Sequence, residues 1–451
     1  MQSFVRKCVP LPSRSMGLSL AVFALIFSLA CGASTTPAPA PTSPTAAPVP
    51  PTSAPAPDSG GTDSEMTTPG MVPMTSPSVD DLGGGSPELF GKVFQEGIAS
   101  SPYRATSEFA RAAQSRAGGE KLKVGFIFVG SQKDLGYNQA AAEGSQWLEQ
   151  NHPDLEILRV ENVPETAEVQ TVQEQMISQG AEIIFATSFG YSGPTKALSD
   201  KHPDVVFLHQ GDLESKENYG AYFGNIWQLE YASGQVAGKM TQSNQLGFIA
   251  AFPIPQTLLN VNAFHLGARS VNPDVETTFV LTSSWCDPAK QTNAVQAMIN
   301  SGIDVLTQHQ DCTKTIVEAA ERSEVYVTGY HQDASPAAPN SWLTGAAWNW
   351  GPVYSELVSE IQSGSYKSSV IFGGLDAGWV KLAPFGQKVP DDVKQMALDT
   401  VEGLRNGSIN PFTGPIKDQK GDVRIAEGMS PSDTDLQTID WLVEGVTGRT
   451  Q

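Results

Sequence analysis

The segment Met176–Ile184 (MISQGAEII) is echoed by the segment Met298–Leu306 (MINSGIDVL). In both segments a helical pattern ends at a glycine, the residue that most readily adopts the left-handed conformation that closes a helix. An apolar run of strand length follows each glycine at once. The echo therefore predicts a chain that repeats the same alternation of helix and strand.

The alternation extends in both directions from these two segments. Apolar, β-branched or aromatic runs of strand length occur at Val124–Val129, Leu155–Val160, Ile183–Ala186, Val205–Leu208, Leu246–Ala251, Thr278–Thr282, Val305–Gln308 and Val325–Gly329. Helical patterns such as Leu135–Gln150 and Ala167–Gln179 separate them. Continuous apolar strands joined by helices indicate a parallel sheet that is covered on both faces. The predicted fold class is α/β, with two doubly wound parallel-sheet lobes.

The N-terminus has the organisation of an export signal. Three basic residues precede an apolar segment, Gly17–Ala30, which is too short to span a bilayer. The step before Cys31 resembles the lipobox of bacterial lipoproteins, whose new N-terminal cysteine is acylated, although Leu29 lies at the second position before the cysteine rather than the third. We predict a lipoprotein signal peptide at 1–30 and lipidation of Cys31. The alternative is an ordinary signal peptide that is cleaved beside a chance cysteine.

The next part of the chain is unsuited to folding. Residues 31–87 are mainly Pro, Ala, Thr, Ser and Gly, a composition that buries too little apolar surface to offset the entropy of ordering. We predict a disordered tether there, followed by a pre-domain segment with some helical pattern at 88–119. The remaining chain, about 330 residues, is too long for one compact core and suits two lobes.

The charge balance bears on the choice of partner. Loss of the signal removes three basic residues and no acidic ones, which lowers the formal net charge from −20 to −23. So acidic a surface repels phosphate backbones, and nucleic acid is therefore not expected as a partner.

Ligands of open parallel sheets bind beyond the carboxyl ends of the strands, so a site is expected in those loops. The first loop, Gly130–Asn138, lacks the glycine spacing of dinucleotide binders and the G-K-[ST] of a P-loop. The segment Gly190–Pro194 differs from a nucleophile elbow because its second glycine comes one residue early. The sequence therefore predicts no cofactor and no catalytic residue.

Four possible metal ligands follow two strands of the second half: His309, Asp311, Cys312 and His331. Their spacing matches no established zinc pattern. The alternatives are polar contacts to a ligand or solvated loop residues, and we predict no metal site.

A set of short motifs carries a more specific signal. The motifs are Asp134–Gln139, Thr187–Tyr191, Phe252–Pro255, Asn262–Phe264, Leu266–Pro273, Ser284–Pro288, Trp348–Gly351 and Pro411–Ile416. With them the chain from about Lys121 to Gly448 resembles the basic membrane protein family of bacterial lipoproteins. This family is also called purine nucleoside receptor A-like, and its members are substrate-binding components of ABC transporters.

The resemblance implies a type I periplasmic-binding-protein fold, in which a three-stranded hinge joins the two lobes. It places lobe 1 at 120–226 and 341–366, and lobe 2 at 227–340 and 367–451. It implies an extracytoplasmic receptor rather than an enzyme, whose closure on a small molecule is read by a permease. The expected partners are the ligand, the permease and a cell membrane reached through the lipid anchor. The protein itself is expected to be a monomer.

The resemblance also implies site residues. Family members stack aromatic side chains on a purine ring, and the matching residues are Tyr137 and Trp285. Such stacking contributes roughly 1–3 kcal/mol per base, although an aromatic residue at a strand end more often belongs to a core. Asp134 and Asn138 share the first loop, where they can pair with ring nitrogens or exocyclic amines. The alternative role for Asp134 is to cap the following helix.

Further ligand-binding candidates lie at strand ends and near the hinge: Ser188, Tyr191, Asp287, His309, Asp311, Tyr330, His331, Trp348 and Asn349. One of these positions departs from the family. Nucleoside-binding relatives have Val-Asp, thought to hold the ribose hydroxyls, where this chain has Tyr330-His331. The loss of that carboxylate favours a free base such as adenine over a nucleoside.

The fold retains two cysteines after Cys8 leaves with the signal and Cys31 is acylated. By the βαβ connection between them, Cys286 and Cys312 follow neighbouring parallel strands, and the exported compartment is oxidising. Both a disulfide at the rim of lobe 2 and two separate buried thiols fit this pattern.

Two other classes of function fit the sequence. The same fold can bind another flat heterocycle, such as a riboflavin-like molecule, or serve a sensory partner in place of a permease. A secreted hydrolase is the enzymatic alternative, although no nucleophile or base with an orienting partner is visible.

Overall fold

The computed structural model describes residues 121–450. The predicted signal peptide at 1–30, lipidation of Cys31, tether at 31–87 and pre-domain segment at 88–119 lie outside the described residues.

The described residues alternate between strands and helices. The strands are β1 Leu122–Ile127, β2 Leu155–Val160, β3 Ala181–Ala186, β4 Val206–Gln210, β5 Tyr219–Gly224, β6 Gln245–Ala250, β7 Glu276–Leu281, β8 Val305–His309, β9 Tyr326–His331, β10 Trp342–Trp348, β11 Val370–Gly373, β12 Val380–Leu382, β13 Ile416–Lys417, β14 Val423–Ile425 and β15 Val446–Thr447. The α-helices are α1 Tyr137–Asn151, α2 Glu168–Ser178, α3 Ser192–Ser199, α4 Trp227–Met240, α5 Pro255–Val271, α6 Pro288–Asn300, α7 Lys314–Arg322, α8 Trp350–Ser363, α9 Asp391–Arg405 and α10 Asp433–Leu436.

The first lobe is built on a six-stranded parallel sheet in the order β11-β5-β4-β3-β1-β2. Its central strands are buried on both faces because successive side chains point to opposite sides of a strand. Phe126 and Phe185 therefore pack in one core with α1 and α8, whereas Ile127 and Ile184 pack in the other. This two-sided burial explains the continuous apolar runs in the sequence.

The second lobe repeats the plan with a seven-stranded sheet in the order β12-β10-β9-β8-β6-β7-β15. Only β12 runs antiparallel to its neighbour among the strands of this sheet that the structure describes. The two echoed segments of the sequence form α2 with β3 and α6 with β8. The predicted α/β class with two doubly wound lobes is confirmed.

The chain passes between the lobes after β5, after β10 and after β11. Two of the boundaries inferred from the sequence are therefore wrong. The segment 341–366 was assigned to lobe 1, but β10 pairs with β9 and β12 in the second sheet. Conversely, residues from 367 were assigned to lobe 2, but β11 pairs with β5 in the first sheet. The partner of β11 is distant in sequence, whereas β10 pairs with β9, the strand just before it, so the chain crosses to the first lobe only after β10.

No helix within residues 121–450 combines the length and the apolar character that a membrane span requires.

Helices α4 and α5 pack against each other through glycines. A Cβ atom on Gly267 would lie 2.0 Å from the carbonyl oxygen of Tyr231, and one on Gly234 would lie 2.0 Å from that of Phe264. The backbones therefore touch where any side chain would force them apart. This contact matters for the site, because α4 follows the first crossing directly and α5 carries residues that reach the cleft.

We expect Gly267→Ala to lower the free energy of unfolding by about 1–3 kcal/mol, because the added methyl group overpacks the α4–α5 contact. Gly193→Ala is the matched control, since a Cβ atom there meets nothing within 4 Å apart from its chain neighbours and its own helix backbone. The control should change stability less, because the helix propensity of alanine is offset by Pro194, which disfavours a helical residue before it. Urea unfolding followed by circular dichroism measures both values, and equal stabilities of the two variants would contradict the backbone contact.

Candidate functional site

A cavity lies between the two lobes, at the carboxyl ends of their strands. It encloses about 340 Å³, counting the part of its mouth that is open to solvent. Its lining residues are Tyr137, Ser188, Phe189, Gln210 and Phe223 from the first lobe, and Ile254, Gln256, Trp285, His309 and Asp311 from the second. The position agrees with the rule that open parallel sheets bind ligands beyond the carboxyl ends of their strands.

The lobes are closed on each other around this cavity. The two backbones meet directly at one point, where the Tyr137 N–H donates to the carbonyl oxygen of Asp311 over 3.1 Å. Gly136 permits this approach, because a Cβ atom at that position would lie 1.6 Å from the same oxygen. Beside it, the Thr313 hydroxyl donates to the carbonyl oxygen of Leu135. The structure is therefore the closed form of a two-lobed cleft.

Three further hydrogen bonds cross the cleft through side chains. Trp285 Nε1 donates to Glu165 Oε2 over 3.3 Å, Gln256 Nε2 to the Gly211 carbonyl oxygen over 3.1 Å, and Gln332 Nε2 to Glu143 Oε2 over 2.9 Å. Glu165 also accepts from the Ser188 hydroxyl at 2.6 Å and from the Gly190 N–H at 2.8 Å. The Glu165 carboxylate thus links Ser188 and Gly190 of the first lobe to the Trp285 indole of the second.

The two aromatic residues expected to stack on a ligand both line the cavity, one from each lobe. Tyr137 is the first residue of α1, and its ring packs edge-on against the His331 ring with centroids 5.1 Å apart. Trp285 follows β7 and packs edge-on against Phe252 with centroids 5.0 Å apart. These contacts hold both rings in place.

Asp134 and Asn138 lie beneath the cavity rather than on its lining. The Asp134 carboxylate accepts from the N–H groups of Gly136, Asn138 and Gln139 over 2.8, 3.1 and 3.0 Å, and from Asn138 Nδ2 over 2.8 Å. It therefore caps the start of α1, which was the alternative role. Burial raises the pKa of Asp134, and these hydrogen bonds oppose the shift.

Asp311 supplies a carboxyl group to the cavity lining. Its side chain is 6% exposed, and its N–H donates to the Trp285 carbonyl oxygen over 2.9 Å. Burial, with the nearby charges of Asp134 and Glu165, raises the pKa of Asp311 well above its usual range. A carboxyl group that keeps its proton can donate a hydrogen bond to a ligand.

His309 presents a neutral imidazole to the cavity, because burial lowers its pKa to about 3. Its Nδ1 lies 3.1 Å from Asn260 Nδ2, which also donates to the Tyr330 hydroxyl over 2.7 Å. An amide nitrogen only donates, so His309 Nδ1 accepts and the ring carries its proton on Nε2. The Nε2–H of His309 therefore remains as a hydrogen-bond donor for a ligand.

Four candidates lie behind the cavity or at the crossings. Tyr330 is 1% exposed and holds Asn260, as described above. His331, also 1% exposed, accepts from Trp348 Nε1 over 2.8 Å, and Trp348 stacks on Trp350 with centroids 4.6 Å apart. Asn349 Nδ2 donates to the Gly378 carbonyl oxygen over 2.8 Å. The structure places these residues as supports of the lining and of the second and third crossings.

Two other candidates also serve the fold instead of the cavity. The Tyr191 hydroxyl donates to the Val163 carbonyl oxygen over 2.5 Å inside the core of the first lobe. Asp287 caps α6 by accepting from the N–H groups of Ala289 and Lys290, each over 3.1 Å. Both residues follow a strand, and the sequence pattern cannot separate such capping or core positions from ligand contacts.

Several lining residues were missed by the sequence analysis: Phe189, Gln210, Phe223, Ile254 and Gln256. Gln210 is the most informative of them. Its Oε1 accepts from the Tyr222 hydroxyl over 3.2 Å, whereas its buried Nε2 has no hydrogen-bond partner among the described residues. Buried polar groups are nearly always paired, so this nitrogen is a donor available to a ligand. Its position at the carboxyl end of β4 was the sequence signal that could have identified it as a lining residue.

Cys286 and Cys312 are joined by a disulfide bond with their Cα atoms 5.2 Å apart. Their strands are not neighbours as expected, because β6 lies between β7 and β8 in the sheet. The bond removes the Cys312 thiolate from the possible metal ligands. No cluster of three His, Cys, Asp or Glu side chains placed to hold a metal ion occurs within residues 121–450.

Comparisons with known proteins agree with this two-lobed receptor geometry. Residues 121–420 match the family model described as ABC transporter substrate-binding protein PnrA-like. The chain is 37% identical over 328 residues to a purine-binding protein of Brucella abortus, covering 72% of this chain and 93% of the relative. It is 30% identical over 330 residues to a Haloferax volcanii protein with the provisional name of an ABC transporter glucose-binding protein, covering 73% of this chain and 81% of the relative.

A solved structure shows the same fold. The ABC transporter solute-binding protein of Conexibacter woesei superposes with a TM-score of 0.55 at 21% identity, covering 64% of this chain and 98% of that one. With the family match over most of the folded region, the chain belongs to the PnrA-like family of ABC transporter substrate-binding proteins, which act outside the cytoplasm and are not enzymes.

Proposed function

We propose that this protein captures a purine, with a free base such as adenine preferred over a nucleoside, by closing its two lobes around it for delivery to an ABC permease. One observation carries the proposal, namely a cavity between the closed lobes with an aromatic side chain from each lobe on its lining. The printed name of the Brucella relative, a purine-binding protein, supports the same ligand class.

The apolar lining suits a flat ring. Tyr137, Phe189 and Phe223 contribute aromatic surface from the first lobe, and Trp285 contributes it from the second. Each face of a planar heterocycle loses water when it enters such a slot, and stacking contributes roughly 1–3 kcal/mol per base. We assign the two faces of the purine to Tyr137 and Trp285, as the family resemblance implies.

The polar lining suits the edge of a neutral heterocycle. Gln210 offers an unpaired amide N–H, His309 offers an Nε2–H and Asp311 offers a protonated carboxyl group. These donors match the ring nitrogens of a purine. The carbonyl oxygen of the Asp311 side-chain carboxyl group, or an amide oxygen, can accept from an exocyclic amine. All three groups are uncharged, so a neutral ligand meets them without an unpaired charge.

One observation favours the base over the nucleoside. Tyr330 and His331 replace the carboxylate-bearing segment of nucleoside-binding relatives, and both are buried behind the lining. A riboflavin-like ring system is larger than a purine, and glucose has no flat aromatic faces.

Isothermal titration of the purified protein tests the ligand. We expect adenine to bind more tightly than guanine, adenosine and guanosine, with no heat from riboflavin or glucose. Tyr137→Ala and Trp285→Ala should each weaken adenine binding by about 5- to 150-fold, which corresponds to the loss of roughly 1–3 kcal/mol of stacking. Trp147→Ala is the matched control, since this 39% exposed indole lies on α1 but not on the cavity lining.

A preference for nucleosides in that titration would refute the free-base assignment. Binding of glucose or riboflavin in place of purines would refute the purine class. Equal effects of Trp147→Ala and Trp285→Ala would refute stacking as the source of affinity.

The ionisation of Asp311 gives a test by pH. Because the folded protein raises the pKa of this carboxyl group above its usual range, the donor form persists to higher pH and is lost as the pH rises through the raised value. Adenine affinity should therefore fall with rising pH in the wild type. Asp311→Asn keeps an uncharged donor, so it should bind with a flat pH profile from about pH 5 to 9, and Asp311→Ala should bind weakly throughout. A flat profile for the wild type with weak binding by Asp311→Asn would contradict this role.

We also propose that the mature protein is a lipoprotein, anchored through acylated Cys31 and held away from the membrane by the tether at 31–87. An apolar signal that ends at a cysteine and precedes a proline-rich stretch without lysine or arginine supports this proposal. The extracytoplasmic location of the family agrees with it.

Mass spectrometry of the protein from its native membrane should find a diacylated or triacylated N-terminal Cys31. Cys31→Ser should release the protein from the membrane fraction, because one substituted sulfur removes the acyl chains. A free, unmodified Cys31 or a mature N-terminus at another residue would contradict the anchor.

A further inference from the structure

The disulfide bond connects the loops that follow two strands of the second sheet which are not neighbours. Cys286 follows β7 and Cys312 follows β8, and these two strands lie on opposite sides of β6. The bond therefore connects two rim loops across the carboxyl end of β6. Two hydrogen bonds reinforce the connection, from the Asp311 N–H to the Trp285 carbonyl oxygen over 2.9 Å and from Gln310 Nε2 to Thr282 Oγ1 over 2.9 Å.

The residues beside the two half-cystines make contacts across the cleft. Trp285 precedes Cys286 and donates to Glu165, and Asp311 precedes Cys312 and accepts from the Tyr137 N–H. Thr313 follows Cys312 and donates to the Leu135 carbonyl oxygen. Trp285 and Asp311 also line the cavity. Three of the cross-cleft hydrogen bonds therefore originate within one residue of the disulfide.

We propose that the Cys286–Cys312 disulfide is a positioning element of the ligand site, which holds the two rim loops in the geometry that closes over the bound ligand. This inference rests on the proposed function, because the site it positions is the purine cavity. The bond acts through Trp285, Asp311 and Thr313 and touches no ligand itself.

The physical reason is preorganisation. Closure requires the three cross-cleft contacts to form together, and loops that are already fixed lose less conformational entropy when they do so. Without the bond, the two loops must be ordered at each closure, so the closed complex opens more often. Ligand enters the open cleft before these contacts form, so the dissociation rate should change more than the association rate.

The test compares the full chain with the double variant Cys286→Ser/Cys312→Ser at a temperature where circular dichroism shows both to be folded. Stopped-flow tryptophan fluorescence with adenine should show dissociation about tenfold faster in the double variant, with association changed less than about twofold. Val295→Ala is the matched control, because this 2% exposed side chain lies on α6, between the two cysteines, in a core of the same lobe. The control should lower the melting temperature without changing the dissociation rate.

A second readout needs no ligand. Hydrogen–deuterium exchange at the amides of Tyr137 and Asp311 should be faster in the double variant than in wild type and unchanged in Val295→Ala, because both amides donate to bonds at the positioned rim. If the wild type binds no purine, the proposed function fails while exchange still decides the role of the disulfide.

If the double variant does not fold, the folded wild type is reduced with a phosphine, which is oxidised to its oxide as the disulfide becomes two thiols, and both measurements are repeated. Dissociation and exchange rates equal to those of Val295→Ala would overturn the proposal and leave the bond a stabiliser of the second lobe.

Discussion

The contact between the backbones at Gly136–Tyr137 and Asp311 determines how closely the lobes can approach. The Tyr137 N–H donates to the Asp311 carbonyl oxygen, and the absence of a side chain on Gly136 leaves room for that oxygen. Because the bond joins main chains, it fixes the ends of two sheets relative to each other and not only two flexible side chains. The rings of Tyr137 and Trp285 reach the same cavity as a result of this approach.

Closure also determines the chemistry of the cavity. Burial keeps His309 and His331 neutral by lowering their pKa values, and it keeps the proton on Asp311 by raising the pKa of that carboxyl group. The lining thus consists of aromatic surface and uncharged hydrogen-bonding groups. Under the proposed function, such a lining favours a neutral aromatic base over ions and strongly polar sugars, whose hydration is harder to replace.

The sequence predicted the architecture well because burial on both faces of a parallel sheet leaves a continuous apolar signature, as in β1 and β3. It failed for β10, where the family resemblance placed the crossing one strand too early, and for β11, whose lobe depends on the distant partner β5. Among the candidate site residues, Tyr137, Ser188, Trp285, His309 and Asp311 reach the cavity.

The other site candidates show why local patterns are insufficient. A polar residue after a strand can cap the next helix, as Asp134 and Asp287 do, and a tyrosine there can satisfy a buried carbonyl group, as Tyr191 does. Gln210 and Phe223 were missed because they belong to the last residues of β4 and β5 and not to the loops that follow these strands. Glu165 belongs to no recognised motif, and only the folded cleft reveals its bond to Trp285.

The edge position of β11 has a consequence for how the protein matures. This strand completes the first sheet beside β5, yet it emerges only after the chain has traversed β6 to β10 of the second. As the chain emerges from its N-terminus, the β5 edge of the first sheet stays unpaired until the segment from α8 to β11 covers it, and such an edge is prone to aggregation. Truncation between β5 and β6 would therefore leave the first sheet without its edge strand β11.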